Sequence, residues 1–295
     1  MANITEKGNL FPAKIVSEII TKVSDASALA KMSTSEPVPF SGKEYMTLSI
    51  DGEANIVGEG DPKPAGEATV TTKTLPLLKL VFQHRVSDEF MKASEEDRIP
   101  YLRAFADGFA GKIARGMDIA AIYGVNPGNG EDTSFKETNS FASTDIATVT
   151  DEAADDALRD AIAAVTASKG VTSGIVMSTK LASDLGKIKA NGIVQYPEFD
   201  FGGTPETFKG KKLAVTTNLS YKEDTDAVVG DFDYFKWGYS AGNGMSFDVI
   251  PYGDPDGLGD LKQHNQVCLR GEAYLGFIIL DPTKFARVTA DTESE

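Results

Sequence analysis

Two alternating stretches separated by ten residues that no core can use constrain this chain more than any other feature. Met46, Leu48 and Ile50 alternate with Thr47 and Ser49, the period of a half-buried strand. On the far side Val70, Thr72 and Thr74 lead into Leu75, Leu77, Leu78, Leu80, Val81 and Phe82. Between them runs Gly58-Glu59-Gly60-Asp61-Pro62-Lys63-Pro64-Ala65-Gly66-Glu67, with almost nothing to bury. Ordering ten such residues costs roughly 10–20 kcal/mol of backbone entropy at about 1–2 kcal/mol each. The predicted hairpin tip is therefore either mobile or clamped by something outside the fold. A neighbouring subunit would serve.

At 295 residues the chain has room for one large domain or two modest ones. Before the hairpin, Ile15, Val16, Ile19, Ile20 and Val23 repeat at helical spacing, and Ser33-Thr34-Ser35-Glu36-Pro37 with Pro39 reads as extended chain. Residues 2–40 are either an arm that leaves its own domain or a loosely ordered terminus. After the hairpin, Ser87 to Tyr123 reads as helix, with Ser87 and Ser94 as caps and Glu95, Glu96 and Asp97 suited to a positive N-terminus. Ile99, Leu102, Phe105, Phe109, Ile113, Ile119 and Ile122 fall mostly on one side. From Asp97 the helix is about 42 Å long at ~1.5 Å per residue. Gly108, Gly111 and Gly116 mark close packing or a bend, and Gly124-Val125-Asn126-Pro127-Gly128-Asn129-Gly130 ends it.

The second half interleaves short helices and strands. Asp151 to Lys169 is a predicted helix with an acidic first turn and a stop at Gly170, and Thr179 to Lys189 a shorter one stopped near Gly192. Strands are expected at Gly174–Ser178, Leu213–Val215, Ala227–Val229, Met245–Tyr252, Gln266–Leu269 and Tyr274–Leu280, with Phe285–Val288 returning to an earlier sheet. There is no internal repeat. The fold class is α+β.

Composition excludes several functions. Acids outnumber bases 44 to 29, for a net charge of −15, so phosphate repels the chain at long range and nonspecific nucleic-acid binding is out. The single cysteine, Cys268, cannot staple the chain, and two histidines, His84 and His264, are too few for a His-rich zinc site. His84, in a strand, reads as a satisfied core residue. Met1 to Leu10 has no apolar core of a signal peptide, and Ala273 to Leu280 is far below the ~20 residues that span a bilayer.

The catalytic search returns one match by letter. Gly238-Tyr239-Ser240-Ala241-Gly242 fits G-x-S-x-G, with Asp248 and His264 following in hydrolase order. That chemistry needs a strand, a strained turn and a helix, and Asn243-Gly244 lets no helix start, so the competing reading is a Gly-rich turn. Asp254-Pro255-Asp256-Gly257-Leu258-Gly259-Asp260 clusters oxygen ligands without EF-hand spacing, and reads as a solvated turn rather than a cation loop. Gly210-Lys211 lacks Walker A spacing. Trp237, amid Phe232, Tyr234, Phe235 and Tyr239, reads as packing. No enzyme, metal site or cofactor emerges.

The order of parts resembles the major capsid protein of tailed bacteriophages, the Hong Kong 97 fold. The more specific stretches are Val57-Gly58-Glu59-Gly60-Asp61-Pro62-Lys63-Pro64, Ser87-Asp88-Glu89-Phe90, Gly174-Ile175-Val176-Met177, Phe201-Gly202-Gly203-Thr204-Pro205, Gly210-Lys211-Lys212-Leu213-Ala214-Val215 and Val229-Gly230-Asp231-Phe232. The resemblance implies an N-terminal arm at 1–40 and an extended loop at 41–82. It implies a peripheral domain with a long spine helix at 83–130 and 243–277, and an axial domain at 131–242 and 278–295. The implied function is a virion shell subunit, assembled in the host cytoplasm into pentamers and hexamers that enclose double-stranded DNA without specific binding. Implied partners are other copies of the chain, scaffolding and portal proteins and a decoration protein, with no membrane. Because the sequence starts at Met1 without a scaffolding extension, a separate scaffold or none is expected. An encapsulin-type compartment shell shares the fold and is the alternative, with a Ser240 hydrolase behind it.

The resemblance also implies inter-subunit contacts at Glu59, Asp61, Lys63 and Pro64. Some relatives weld neighbours by a lysine–asparagine isopeptide bond, and Lys63, Asn265 and Glu272, the last as proton acceptor, occupy matching positions. That chemistry needs a desolvated amine and a basic carboxylate. Arg270, two residues from Glu272 on one strand face, is expected to hold the carboxylate ionised and argues against the weld.

Overall fold

The computed structural model describes residues 22–23, 26–51, 54–60, 62–63, 65–92, 95–150, 153–222, 224–241 and 244–289. The helical repeat expected at residues 15–20 lies outside these, as do the Ser94 cap and the side chains of Glu95, Glu96, Asp97 and Ile99. Helices are α1 (Ala28–Met32), α2 (Glu89–Lys92), α3 (Glu95–Tyr123), α4 (Lys136–Asn139), α5 (Ala154–Ala167) and α6 (Thr179–Lys187). Strands in chain order are β1 (Lys43–Asp51), β2 (Glu67–Leu75), β3 (Leu78–Ser87), β4 (Ala147–Thr150), β5 (Gly174–Ser178), β6 (Lys189–Ala190) and β7 (Ile193–Val194). They continue with β8 (Thr207–Phe208), β9 (Lys211–Thr216), β10 (Ala227–Gly230), β11 (Phe235–Tyr239), β12 (Met245–Ile250), β13 (Gln266–Ile279) and β14 (Phe285–Thr289).

One sheet has six strands in the order β4-β14-β10-β5-β9-β8. Its two central strands, β5 and β10, are buried at every position because both faces are covered. Along β5, Ile175 and Met177 face a core shared with α5 and α6, whereas Val176 faces the core built on α1 and α3. β10 and β14 alternate between the same two cores. The return of Phe285–Val288 to an earlier sheet is as expected: β14 pairs antiparallel with β10 and parallel with β4.

The second sheet is built on β13, a single strand of 14 residues where two shorter ones are expected from sequence. Gly271 and Glu272 weaken the apolar pattern between them, but the chain runs straight through, pairing with β3 along one edge. β11 and β12 follow one another along β13 in a common direction. The pairing has a bulge where β11 gives way to β12, because Ser240 and Gly244 both bond the one residue Tyr274: Ser240 N–H donates to Tyr274 O (2.9 Å) and Tyr274 N–H to Gly244 O (2.8 Å). The helix predicted from Ser87 begins instead in earnest at Glu95, with Pro100 inside it, because residues 78–87 are needed as the β13 partner. α3 lays a stripe of Leu102, Ala106, Phe109, Ile113 and Met117 into the core and stops at Gly124, whose φ of +64° only glycine adopts freely. His84 is exposed on β3, not a core residue: it lines an open groove between β3 and α3 with Phe82, Tyr101 and Phe105.

Candidate functional site

The alternating hairpin forms as expected, but not half-buried. β1 and β2 pair over their full length, with Met46 opposite Thr72 and Leu48 opposite Val70, and form a two-stranded ribbon joined to no other sheet. Met46 is 76% exposed, Leu48 60% and Val70 56%, all on one ribbon face, and Ile56 near the tip is fully exposed. Two strands alone have nothing to pack against, so the apolar half of the alternation meets solvent. Glu59 and Lys63 lie exposed at the tip, and Asp61 and Pro64 lie outside the described residues.

The base of the ribbon is held firmly. Residues 35–38 run parallel to β11, with Glu36 N–H donating to Trp237 O (2.9 Å) and Val38 N–H to Tyr239 O (2.8 Å). So 26–40 is not loosely ordered, and it packs on its own chain rather than leaving it, with Leu29 and Val38 fully buried. Glu36 binds Lys43 of β1 in a part-buried ion pair, accepts from Tyr45 Oη (3.1 Å) and lies 3.9 Å from Lys236. The Lys43 ammonium holds the Glu36 carboxyl below the usual carboxylate range, and Glu36 in turn raises Lys43. Val38, Leu75 and Ile278 make a small core beneath this cluster.

The arm is tied to α3 by a carboxylate that the sequence reading passed over. Asp118 is fully buried and accepts from Ser27 Oγ (2.6 Å), Ala28 N–H (2.9 Å), Leu29 N–H (3.3 Å) and Asn218 Nδ2 (2.7 Å). It thereby caps α1, joining arm, long helix and six-stranded sheet. Burial pushes its pKa up despite these donors. The available signal was an aspartate within the apolar stripe of the long helix.

The residues of the proposed weld are not brought together within one chain. Asn265 sits in the left-handed region (φ 51°) just before β13, and Glu272 lies seven residues along that strand, about 23 Å away at ~3.3 Å per residue. Glu272 is ion-paired with Lys79 at 2.8 Å and accepts weakly from Tyr274 Oη at 3.3 Å. Arg270, expected to hold Glu272, donates instead to Gln83 Oε1 (2.9 Å), its direct cross-strand neighbour. Lysine still holds the carboxylate, but a different one from the cation expected.

The other candidates resolve into packing. Gly238 is required because a Cβ there would lie 1.6 Å from Glu36 O, so the arm and not a nucleophile explains the glycine. Ser240 lies in the bulge, followed by a strand where a hydrolase needs a helix. His264 lies before the start of β13, ten residues from Tyr274, which puts it about 30 Å from Ser240 by the strand rise. Gly242 and Asn243 lie outside the described residues. In the acidic turn, Asp256 grips the Arg85 guanidinium, with Nε donating to Oδ1 (3.0 Å) and Oδ2 (2.8 Å), and Asp254 and Gly259 O accept from Nη2. The turn is an arginine clamp rather than a merely solvated loop. Trp237 is buried, so it packs as expected, and its Nε1 donates to Ser33 O (3.1 Å) of the arm, a partner the sequence did not indicate. Among the described residues no cluster of metal-binding side chains occurs, and no helix is long and apolar enough to cross a membrane.

Residues 7–290 match the model of the phage capsid family. The chain belongs to that family. A probable major capsid protein, gp17, of Mycobacterium phage L5 is 27% identical over 274 residues, covering 86% of this chain and 81% of the relative. A solved chain of Mycobacterium phage Ogopogo superposes with a TM-score of 0.75 at 29% identity, covering 90% of this chain and 92% of that one. One of Gordonia phage Cozz gives 0.74 at 25% identity, covering 90% and 86%. The phage capsid fold expected from the order of parts is therefore the fold found. This phage capsid protein is a structural component of the virion, the first of the two shell readings the sequence left open.

Proposed function

We propose that this capsid protein is the repeating subunit of an icosahedral head, assembling as pentamers and hexamers around double-stranded DNA. The observation that carries the reading is the ribbon: a rigidly anchored hairpin whose apolar face has no partner in its own chain. Covering Met46, Leu48 and Val70 on a neighbour is worth on the order of 1.5–3 kcal/mol per fully buried side chain. Three such side chains contribute about 5–9 kcal/mol, roughly half of what ordering the ten-residue tip costs. Glu59, Asp61, Lys63 and Pro64 extend the contact at the tip. The net charge of −15 suits a wall that encloses DNA without gripping it.

In this reading 1–40 is the arm, 41–82 the extended loop, 83–130 and 243–277 the peripheral domain, and 131–242 with 278–295 the axial domain. The six-stranded sheet fits wholly within the last, whereas β11 is hydrogen-bonded into the peripheral sheet across the boundary. Scaffold, portal and decoration proteins are the further partners. Contacts between subunits are non-covalent: the Glu272 carboxylate is already occupied by Lys79, at 2.8 Å, where a weld at Lys63 and Asn265 would need it free. Negative-stain electron microscopy of the expressed chain tests the main reading, with closed polyhedral shells expected. Met46→Ser with Leu48→Ser should leave the monomer melting within about 0.5 kcal/mol of wild type, as for exposed sites, and abolish shells. Boiled particles should run as a lone monomer band; a ladder would overturn the non-covalent part.

A further inference from the structure

The segment Phe201-Gly202-Gly203, part of the sequence resemblance, is not used by anything described so far. Phe201 (φ 52°, ψ 29°) and Gly202 (φ 81°) are the central residues of a turn of the type I′ kind, closed by Gly203 N–H donating to Asp200 O (3.2 Å). Both central positions call for positive φ, and glycine, asparagine or aspartate normally fills the first. Here a phenylalanine stands there, strained and 102% exposed, its ring touching nothing among the described residues. A local rule broken with no compensation inside the molecule points to a use outside it.

The same lobe carries a socket of about 210 Å³, floored by Leu158, Ile162, Ile175, Leu185 and Phe208 between α5, α6 and β8. An apolar cavity of about 150 Å³ takes a benzene ring, so this one has room for a phenylalanine side chain. Lys209 and Lys211 stand at its rim, and neither pairs with a carboxylate among the described residues. The knob has the opposite charge, with Glu198 and Asp200 beside Phe201.

We propose that Phe201 of one copy inserts into the Leu158–Ile162–Phe208 socket of the next, with Glu198 and Asp200 facing Lys209 and Lys211. In a capsomer of five or six copies related by rotation, each copy then gives its knob to one neighbour and takes the other neighbour's into its socket. The inference rests on the reading of this chain as a shell subunit and names one contact between subunits. The geometry of the turn explains why the residue is not glycine: the ring is presented for a partner.

Asp200→Cys combined with Lys209→Cys, joined by a reducible bis-maleimide, tests the contact in assembled particles with the Phe201 ring left in place, since Cys268 is buried and the chain has no other cysteine. A reductant-sensitive ladder of dimers and higher species on a denaturing gel, absent from either single variant, is expected. Intact particles that yield only monomer overturn the contact and leave the shell reading standing; a wild-type chain that forms no particles, with or without co-expressed scaffold, overturns the shell reading itself. Phe201→Gly serves as the second variant. It relieves the turn, so the monomer should melt at or above the wild-type temperature, while the yield of particles falls at least tenfold. Unchanged yield would refute the proposal.

Discussion

Asp118 gives the sharpest test of how the arm is held. Its Oδ1 takes Ser27 Oγ and Leu29 N–H, and its Oδ2 takes Ala28 N–H and Asn218 Nδ2. Asp118→Asn keeps the volume but turns one acceptor into an N–H2 group, so whichever way the amide faces, a backbone N–H of α1 meets another donor. A stranded buried donor costs about 1–3 kcal/mol, and two are affected, for a net loss of about 2–4 kcal/mol. At about 2–4 °C per kcal/mol for a domain of this order of size, the melting temperature should fall by about 5–15 °C. The sign of the pH dependence follows from burial. An acid whose folded pKa is raised binds a proton in the native state that the unfolded state has lost, so its contribution is greatest below the ordinary aspartate value and declines as pH rises through the folded one. Calorimetric melts of both proteins from pH 4 to pH 8 should show wild type gaining on the variant as pH falls. A gap below about 2 °C at every pH would refute the latch. A gap that narrows on acidification would show the four donors outweighing desolvation.

Three further outcomes are expected. Gly238→Ala drives a Cβ into Glu36 O and displaces the arm, at about 1–3 kcal/mol for overpacking, seen as a lowered melting temperature and faster proteolysis near residues 33–40. The Arg85 guanidinium holds the Asp256 carboxyl down to about 2, so the clamp is complete above the ordinary aspartate pKa of about 3.9 and is lost as pH falls through about 2. Pepsin at pH 4 should therefore spare the wild-type loop and cut Arg85→Ala between Tyr252 and Leu258, both about 70% exposed. Ser240→Ala should leave assembly unaltered, and the wild-type chain should not react with a serine-directed probe.

Much of the fold was legible because its signals are local. The runs at Gly174–Ser178 and Ala227–Val229 read as buried strands since a two-sided sheet buries every position. The helix stop at Gly124 and the hairpin between residues 43 and 75 follow from glycine and from alternation. What failed was pairing. β13 reads as two strands because Arg270, Gly271 and Glu272 interrupt its pattern, and only β3 and β12 on its two edges show why it continues. β11 went unread because Trp237 and its aromatic neighbours suggest packing without saying what they pack against, which is the arm arriving from residues 33–38.

The site was legible by what it lacked rather than by what it held. A loop that cannot repay its ordering entropy within one chain announces a partner, and the ribbon's uncovered Met46, Leu48 and Val70 are the same argument in side chains. The polar anchors behave differently. Asp118, Glu36 and Arg85 find partners at unrelated separations: Ser27 and Asn218 lie 91 and 100 residues from Asp118, Lys43 lies 7 from Glu36 and Asp256 lies 171 from Arg85. No spacing rule connects such residues, so a motif scan passes over them and stops at Gly238-Tyr239-Ser240. That match is made of residues chosen for an arm's close approach and a bulge. In a shell protein the chemistry is distributed over contacts, and the informative residues are those whose local cost is unexplained by their own chain. Phe201 is the plainest of them, an aromatic ring in a glycine's conformation with nothing to touch among the described residues.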